Sequence, residues 1–286
     1  MMAGELNQKG VLLLSRGDVE GARAAYAAAL EAEPDNGAVL NNMGFLLARE
    51  GRLAEAMTYF RRAVEVAPQS SMAYLNLGNG LALHGQLSEA EAALGRAVEL
   101  EPANLNAWVG LGRLCLAMGR PAQAIDALQR AVALDDRVAE LWTELGVALF
   151  MRRDLGSAEE ALRRALGLEP EHIPARHHLA LLWLAYGETE AAARELQRIL
   201  QLQPDYKPAK VDLAVLELTG GRPEQALSLL DAPEDDRGRF YRAMALDLTG
   251  HETEALPELT ALADRLFSPY AGHAREYLTG RRANRD

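Results

Sequence analysis

The sequence predicts an all-α solenoid, which is a stack of helical hairpins with no single central core. Three residue types recur at a step of 34 residues through most of the chain. They are found at Gly10, Gly44, Gly78, Gly112 and Gly146; at Ala22, Ala56, Ala90, Ala124, Ala158, Ala192 and Ala226; and at Pro34, Pro68, Pro102, Pro170 and Pro204. A fixed period of this length indicates one supersecondary unit copied many times. Abundant Ala, Leu, Glu and Arg, with few β-branched residues, favour helix throughout.

Each repeat is predicted to form two antiparallel helices, A and B. Helix A carries a Leu-Gly pair, and helix B carries small and large residues on one face, as in Ala56, Phe60 and Ala63. A glycine at the break between them supplies the positive φ that commonly ends a helix. These glycines are Gly17, Gly51, Gly85, Gly119, Gly187, Gly221 and Gly250. Arg153 stands at this position in the fifth repeat, so we expect that turn to be made differently.

The register gives about eight repeats and a C-terminal capping helix. Seven repeats lie within residues 1–235, an eighth, degenerate one covers 236–267, and a capping helix with a basic tail covers 268–286. The seven are 3–36, 37–70, 71–104, 105–138, 139–172, 173–206 and the shortened 207–235. Asp231–Gly238 has the composition of a polar connector, and Pro257 is expected in the first turn of the last B helix, where proline is tolerated. We therefore expect an offset between repeats seven and eight.

Composition limits the classes of partner and the location. The net charge of −11 argues against nucleic acid or an anionic membrane as the main partner, because both require a basic surface. No apolar run approaches the ~18 residues of a spanning helix, so no membrane insertion is expected. The lone Cys115 occupies a leucine slot and is expected to be a packed thiol. We expect a bacterial, cytoplasmic protein, or a periplasmic one if an export signal was removed.

Motifs for catalysis are not found. The chain has no phosphate loop, dinucleotide fingerprint, nucleophile elbow or helical zinc-protease motif. His172, His177 and His178 cluster in sequence, but adjacent histidines on a helix point about 100° apart and need other ligands to hold one ion. Contact with a partner or with solvent is the expected role of these side chains. We therefore predict no enzyme activity, no cofactor and no metal.

Residues 71–104 carry a recognisable pattern. It consists of Tyr74, Leu77, Gly78, Leu81, Gly85, Ala90, Leu94, Ala97 and Pro102. This pattern resembles the tetratricopeptide repeat (TPR). The resemblance implies a right-handed superhelix of about seventeen helices, whose A helices face a concave groove that binds a protein partner. The family's chaperone-tail clamp matches in only one of five slots, Asn42, so recognition of an acidic tail is not expected.

Carried over by position, the resemblance places nine residues in the groove. They are Asn42, Phe45, Asn76, Asn79, Val109, Arg113, Glu144, Phe150 and His178. Asn42 and Asn76 match an asparagine that bonds to a peptide backbone in this family, and the largely apolar remainder suits an apolar or amphipathic segment. The expected function is that of a non-enzymatic scaffold or adaptor. An envelope assembly or secretion accessory protein and a substrate-recruiting subunit of a separate enzyme are alternatives, and the oligomeric state stays open.

Overall fold

The computed structural model describes residues 2–231, 233 and 235–283, with side chains as far as Arg281. Within these residues the chain forms seventeen α-helices and no strand, which confirms the predicted all-α class. The helices are α1 (Ala3–Ser15), α2 (Val19–Ala32), α3 (Gly37–Arg49), α4 (Leu53–Val66), α5 (Ser71–Leu83), α6 (Leu87–Leu100), α7 (Leu105–Ala117), α8 (Pro121–Leu134), α9 (Ala139–Met151), α10 (Leu155–Leu168), α11 (Ile173–Tyr186), α12 (Thr189–Leu202), α13 (Lys207–Thr219), α14 (Pro223–Leu229), α15 (Asp236–Leu248), α16 (Glu252–Ala263) and α17 (Ala271–Ala283). None of the described helices is long and apolar enough to cross a membrane.

The chain divides into two compact segments, Met1–Ala161 and Leu162–Asp286, with the division inside α10. We call them the N-terminal and C-terminal segments. In the N-terminal segment α1, α3, α5 and α7 each pack against their own B helix, and successive A helices also contact one another. The recurring alanines and large residues lie between these layers: Ala56, Phe60 and Leu94 are almost completely buried. The core is therefore continuous from repeat to repeat within this segment.

The recurring glycines of the A helices mark close helix crossings. A Cβ atom added to Gly78 would lie 2.6 Å from Leu94 Cγ, and one added to Gly112 would lie 2.7 Å from Leu128 Cγ. Both distances are far below van der Waals contact, so the A helix approaches its B helix too closely for even a methyl group. This close packing explains why glycine recurs every 34 residues in the A helices.

The turns between helices A and B confirm the predicted glycine positions and correct one expectation. All seven glycines named for these turns have positive φ, between 69° and 85°. Arg153 also has a positive φ, 68°, and it is the one non-glycine residue in the described chain that does. Its amide donates to Phe150 O at 2.9 Å, as the amide of Gly119 donates to Leu116 O at 2.9 Å. The fifth turn is thus made in the same way as the others, with an arginine in a backbone region that favours glycine.

The C-terminal segment is less regular than the N-terminal one. Helix α14 has 7 residues, whereas the preceding B helix, α12, has 14. Helix α15 begins at Asp236, so the last three residues of the expected connector are helical; Ala232 and Glu234 lie outside the described residues. Pro257 lies inside α16, beyond its first turn, contrary to expectation. Leu259 and Leu262 are almost completely buried against Phe240. This burial offsets the loss of the backbone hydrogen bond that proline cannot donate.

Helix α17 caps the C-terminal segment. Tyr270, Tyr277 and Leu278 pack onto the buried cluster that contains Phe240. Arg281, in the expected basic tail, forms ion pairs with Asp247 (2.7 Å) and Glu252 (2.8 Å). The rest of that tail, residues 284–286, lies outside the described residues.

The lone cysteine and the tryptophans of two repeats are held within the fold, as expected. Cys115 is 3% exposed, and burial raises the pKa of its thiol. Trp108 and Trp142 occupy the same slot in successive repeats. Their indole N–H groups donate to Pro102 O at 2.9 Å and to Asp136 O at 2.7 Å. These tryptophans therefore close the loop that precedes their own A helix.

Candidate partner-binding groove

A cavity of about 640 Å³ opens between the A helices α3, α5 and α7 and the start of α6. Its lining consists of Phe45, Met72, Leu75, Asn76, Asn79, Ala82, Leu83, Leu87, Asn106, Val109, Gly110, Arg113, Leu114 and Ala117. We call this cavity the groove. The structure brings together five of the nine residues expected there: Phe45, Asn76, Asn79, Val109 and Arg113. All of them project from A helices.

Exposed apolar side chains form much of the groove. The exposed fraction is 45% for Phe45, 50% for Met72 and 76% for Leu83. Sequence reasoning did not place Met72 and Leu83 in the groove, because they lie at the two ends of an A helix. The signal for Met72 was a large apolar residue where other repeats carry small or polar residues or proline, whereas Leu83 shares its slot with Met151. Large apolar groups left in water are typical of binding surfaces.

Two of the expected asparagines hold neighbouring repeats together. Asn42 Nδ2 donates to Asn7 Oδ1 at 2.9 Å, and Asn76 Nδ2 donates to Asn41 Oδ1 at 2.9 Å. We call each of these bonds between residues 35 apart a rung. The Asn76 side chain thus donates one hydrogen bond within the fold, and its Oδ1 can accept a bond from another group. Asn79 is exposed, and its amide has no hydrogen-bond partner within the described part of the chain.

Arg113 and Glu144, both expected in the groove, contact each other. The Arg113 guanidinium forms an ion pair with Glu144 on α9 and a longer one, 3.5 Å, with Glu140. The Glu144 side chain is only 12% exposed. Burial raises the pKa of its carboxyl and outweighs the opposing effect of Arg113. Arg113 therefore lines the groove while its guanidinium pairs with two carboxylates of α9 that do not line it.

The other four expected residues, Glu144 and three more, do not line the groove. Asn42 is occupied by its rung to Asn7. Phe150 lies half-buried on α9. His178 belongs to the C-terminal segment, where burial, with a smaller effect of His177, lowers its pKa to about 4.

His177 forms a rung of a different kind. Its Nε2 donates to Asp212 Oδ2 at 2.7 Å, again across an offset of 35 residues. The Asp212 side chain is 1% exposed and also pairs with Arg237. Burial acts to raise the pKa of Asp212, but the bond from His177 and the charge of Arg237 outweigh it, so the pKa is lowered. The expected contact of His177 with a partner or solvent is therefore wrong, and no metal-binding group of three or more His, Cys, Asp or Glu occurs among the described residues.

Comparison with protein families agrees with this architecture. The model of the cilia and flagella-associated protein 70 C-terminal domain, a TPR domain, matches residues 5–213. A second model, described as tetratricopeptide repeat, matches residues 184–246. Among curated proteins, no significant sequence match is found.

Solved structures show the same fold. YrrB, described as a TPR protein with an unusual peptide-binding site, is 25% identical; the match covers 65% of this chain and 95% of YrrB, with a TM-score of 0.54. PilF of Pseudomonas aeruginosa is 20% identical over 74% of this chain and 97% of its own, with a TM-score of 0.65. A TPR protein of Parabacteroides merdae is 16% identical over 85% and 98%, with a TM-score of 0.69. The helical hairpins, their 34-residue step and the family model over residues 5–213 lead to one conclusion: this chain belongs to the tetratricopeptide repeat family.

Proposed function

We propose that this protein is a non-enzymatic scaffold or adaptor that binds a segment of a partner protein in the groove of its N-terminal segment. The observation that carries the proposal is the groove itself, about 640 Å³ in volume and lined by exposed apolar side chains and amides. Tetratricopeptide repeat proteins are generally protein-interaction scaffolds. The peptide-binding site described for YrrB supports the same reading here.

The lining suits a polypeptide ligand. Phe45, Met72 and Leu83 offer apolar surface that a partner would remove from water, at roughly 25 cal/mol per Å² buried. Asn76 Oδ1 can accept a bond from a peptide N–H, and the amide of Asn79 can both donate and accept. The groove thus supplies affinity through apolar contact and orientation through amides.

A pair of variants tests the proposal. Phe45→Ala with Asn79→Ala removes an apolar anchor and an amide that has no role in the rungs. We expect loss of partner capture, since truncating one buried anchor often costs ~2 kcal/mol or more of binding. Asn76→Ala is the poorer choice, because it also breaks the bond to Asn41. The measurement is quantitative mass spectrometry of proteins captured from the native host, followed by calorimetric titration of the captured partner's segment.

The control removes side chains from the B-helix side. Arg61 and Arg62 are about half exposed and pair with Glu89 and Asp35. Such exposed pairs contribute little to stability, so Arg61→Ala with Arg62→Ala should leave both capture and melting temperature unchanged. The proposal fails if this control abolishes capture and the groove variant does not.

Location is part of the proposal. We place the protein in the cytoplasm, where a lone buried thiol such as Cys115 stays reduced. Fractionation of the native host with an antibody to this chain checks this, and recovery from the periplasm would contradict it.

A further inference from the structure

Two large apolar side chains project into solvent from the loop between α16 and α17. Leu266 is 91% exposed and Phe267 is 99% exposed. They are the central residues of a β-turn, which is closed by a hydrogen bond from Ser268 N to Arg265 O at 3.3 Å. Such central positions favour Gly, Pro, Asn, Asp or Ser, so the turn itself gives no reason for Leu and Phe. We call residues 265–268 the apolar turn.

The base of the apolar turn is fixed to the C-terminal segment. On one side, Arg265 forms an ion pair with Asp236 at the start of α15. On the other side, Tyr270 packs onto the buried cluster that contains Phe240. The two exposed side chains are therefore presented from a held loop, which lowers the entropy that binding would cost.

The apolar turn and the groove have matching chemistry. The backbone N–H and C=O groups of Leu266 and Phe267 make no hydrogen bond within the described chain. In the groove, the side-chain amides of Asn79 and Asn106 are exposed and likewise have no partner among the described residues. An amide side chain can both donate to a backbone C=O and accept from a backbone N–H. The exposed apolar side chains of the groove, such as Phe45, suit the side chains of the turn.

Charge favours a contact between these two regions over a contact between two grooves. Residues 1–161 hold 21 acidic and 14 basic side chains, a net charge of −7, whereas residues 236–286 hold eight of each. Two grooves brought face to face would set like charges against each other, which is unfavourable. The region around the apolar turn carries no net charge, so it can approach an acidic segment without this repulsion.

We propose that the apolar turn docks in the groove of a second copy of this chain. This inference rests on the proposed function, because it assigns an occupant to the same groove. One copy contributes its groove and the other its turn, so the contact is heterologous, and repeated contacts of this kind build rings or open chains. Two anchoring side chains make a small interface, so we expect dissociation constants in roughly the micromolar range or weaker.

Sedimentation velocity of the full chain, from about 1 µM to about 1 mM, measures the association. The wild type should grow from monomer to dimer and larger species. Leu266→Ser/Phe267→Ser removes both anchors and should raise the dissociation constant about thirtyfold or more, with the melting temperature unchanged. The matched control, Leu134→Ser/Leu248→Ser, removes two leucines that are 43% and 56% exposed elsewhere, and it should associate like the wild type.

A mixture of two variants tests the heterologous contact directly. Phe45→Ala/Asn79→Ala keeps only an intact turn, and Leu266→Ser/Phe267→Ser keeps only an intact groove. Each variant alone should stay monomeric, whereas an equimolar mixture should form dimers and nothing larger, because no intact turn or groove is then left free.

Salt provides a second readout. Each copy carries a net charge of −11, so raising NaCl from about 0.05 M to about 0.5 M screens the repulsion between copies and should strengthen an apolar contact. Association that weakens with salt would indicate a charged interface and overturn docking by the apolar turn.

The outcomes separate this inference from the proposed function. A wild-type chain that stays monomeric, equal weakening by the control, a mixture without dimers, or association retained by either variant alone overturns self-docking. Capture of a host partner reports on the proposed function independently. Leu266→Ser/Phe267→Ser should capture the partner at least as well as the wild type, whereas capture retained by Phe45→Ala/Asn79→Ala would contradict groove binding, with or without self-association.

Discussion

The two compact segments connect their repeats by the same geometry but with different chemistry. In the N-terminal segment the rungs are neutral amides, Asn7 with Asn42 and Asn41 with Asn76. In the C-terminal segment the rung from His177 ends on a buried carboxylate, Asp212, which also takes Arg237 from α15. The neutral rungs accompany a regular stack with an open groove, and the charged rung lies where the stack becomes irregular.

This difference shows what a repeat array needs where its regular packing fails. Helix α14 is short, so α13 lacks half of the usual B-helix cover and contacts α15 directly. A buried carboxylate with two donors links α11, α13 and α15 through specific directional bonds, which apolar contact at this position would not supply. The N-terminal segment has full-length B helices and uses single amide bonds.

The largest expected effect comes from breaking the charged rung. Asp212→Ala would leave His177 and Arg237 facing a buried site without their common acceptor. Removing one partner of a buried charged network costs about 3–5 kcal/mol. Asn41→Ala, the matched change in the neutral rungs, should cost about 1 kcal/mol. Denaturant unfolding with hydrogen exchange on the full chain measures both. Equal losses would show that the charged rung contributes no more than an amide one.

A smaller effect is expected from lowering the pH. The pKa of His178 is lowered to about 4, below the unfolded value of ~6.5. Its neutral form therefore stabilises the fold fully above pH 6.5, and this contribution is lost as the pH falls from 6.5 towards 4. The loss amounts to about 3 kcal/mol at most. Chemical-shift titration of the imidazole should give a midpoint near pH 4.

Hydrogen exchange localises this pH effect. Amides of α11 should exchange faster at pH 5 than at pH 7 after correction for intrinsic rates, and His178→Gln should reduce that difference. An ordinary midpoint for His178 would mean that its imidazole is hydrated in the folded protein.

The smallest expected effect concerns the turn at Arg153. Arg153→Gly replaces a residue at φ 68° with one that tolerates this region. We expect a gain of about 0.5–1 kcal/mol, because relief of ~1–2 kcal/mol of backbone strain is partly offset by the greater freedom of glycine when unfolded. Gly119→Arg, at φ 69°, is the reverse experiment and should destabilise by a similar amount. Thermal melts of the two variants should shift in opposite directions.

Much of the fold could be predicted from sequence, because each helix and turn is marked locally. The glycine turns and the close crossings at Gly78 and Gly112 all follow from residue type and a 34-residue step. The rungs could not be predicted in this way. They join residues that are 35 apart, one more than the 34-residue period. Which side chains meet in this way depends on how one A helix packs against the next.

The lining of the groove could be predicted only in part from positions that recur in each repeat. Phe45, Asn79 and Arg113 lie at one recurring slot of the A helix, and the structure places all three in the groove. Met72 and Leu83 lie at helix ends, where no recurring pattern distinguished them. His178 shares a slot with Asn76, yet it lies in the other segment, because the repeat register records position within a repeat and not which repeats form a cavity.

The rungs also bear on how such a chain can lengthen. Asn41 and Asn42 stand side by side, so the repeat 37–70 accepts a bond on one side and donates one on the other. A duplicated copy of this repeat would find the same amides in its neighbour, and no rung would be left without its partner. Duplicating 173–206 would instead set His177 opposite a copy of His178, because Asp212 belongs to the following repeat. Gene duplication can therefore extend the amide-linked end one repeat at a time, whereas the charge-linked end keeps a fixed order of repeats.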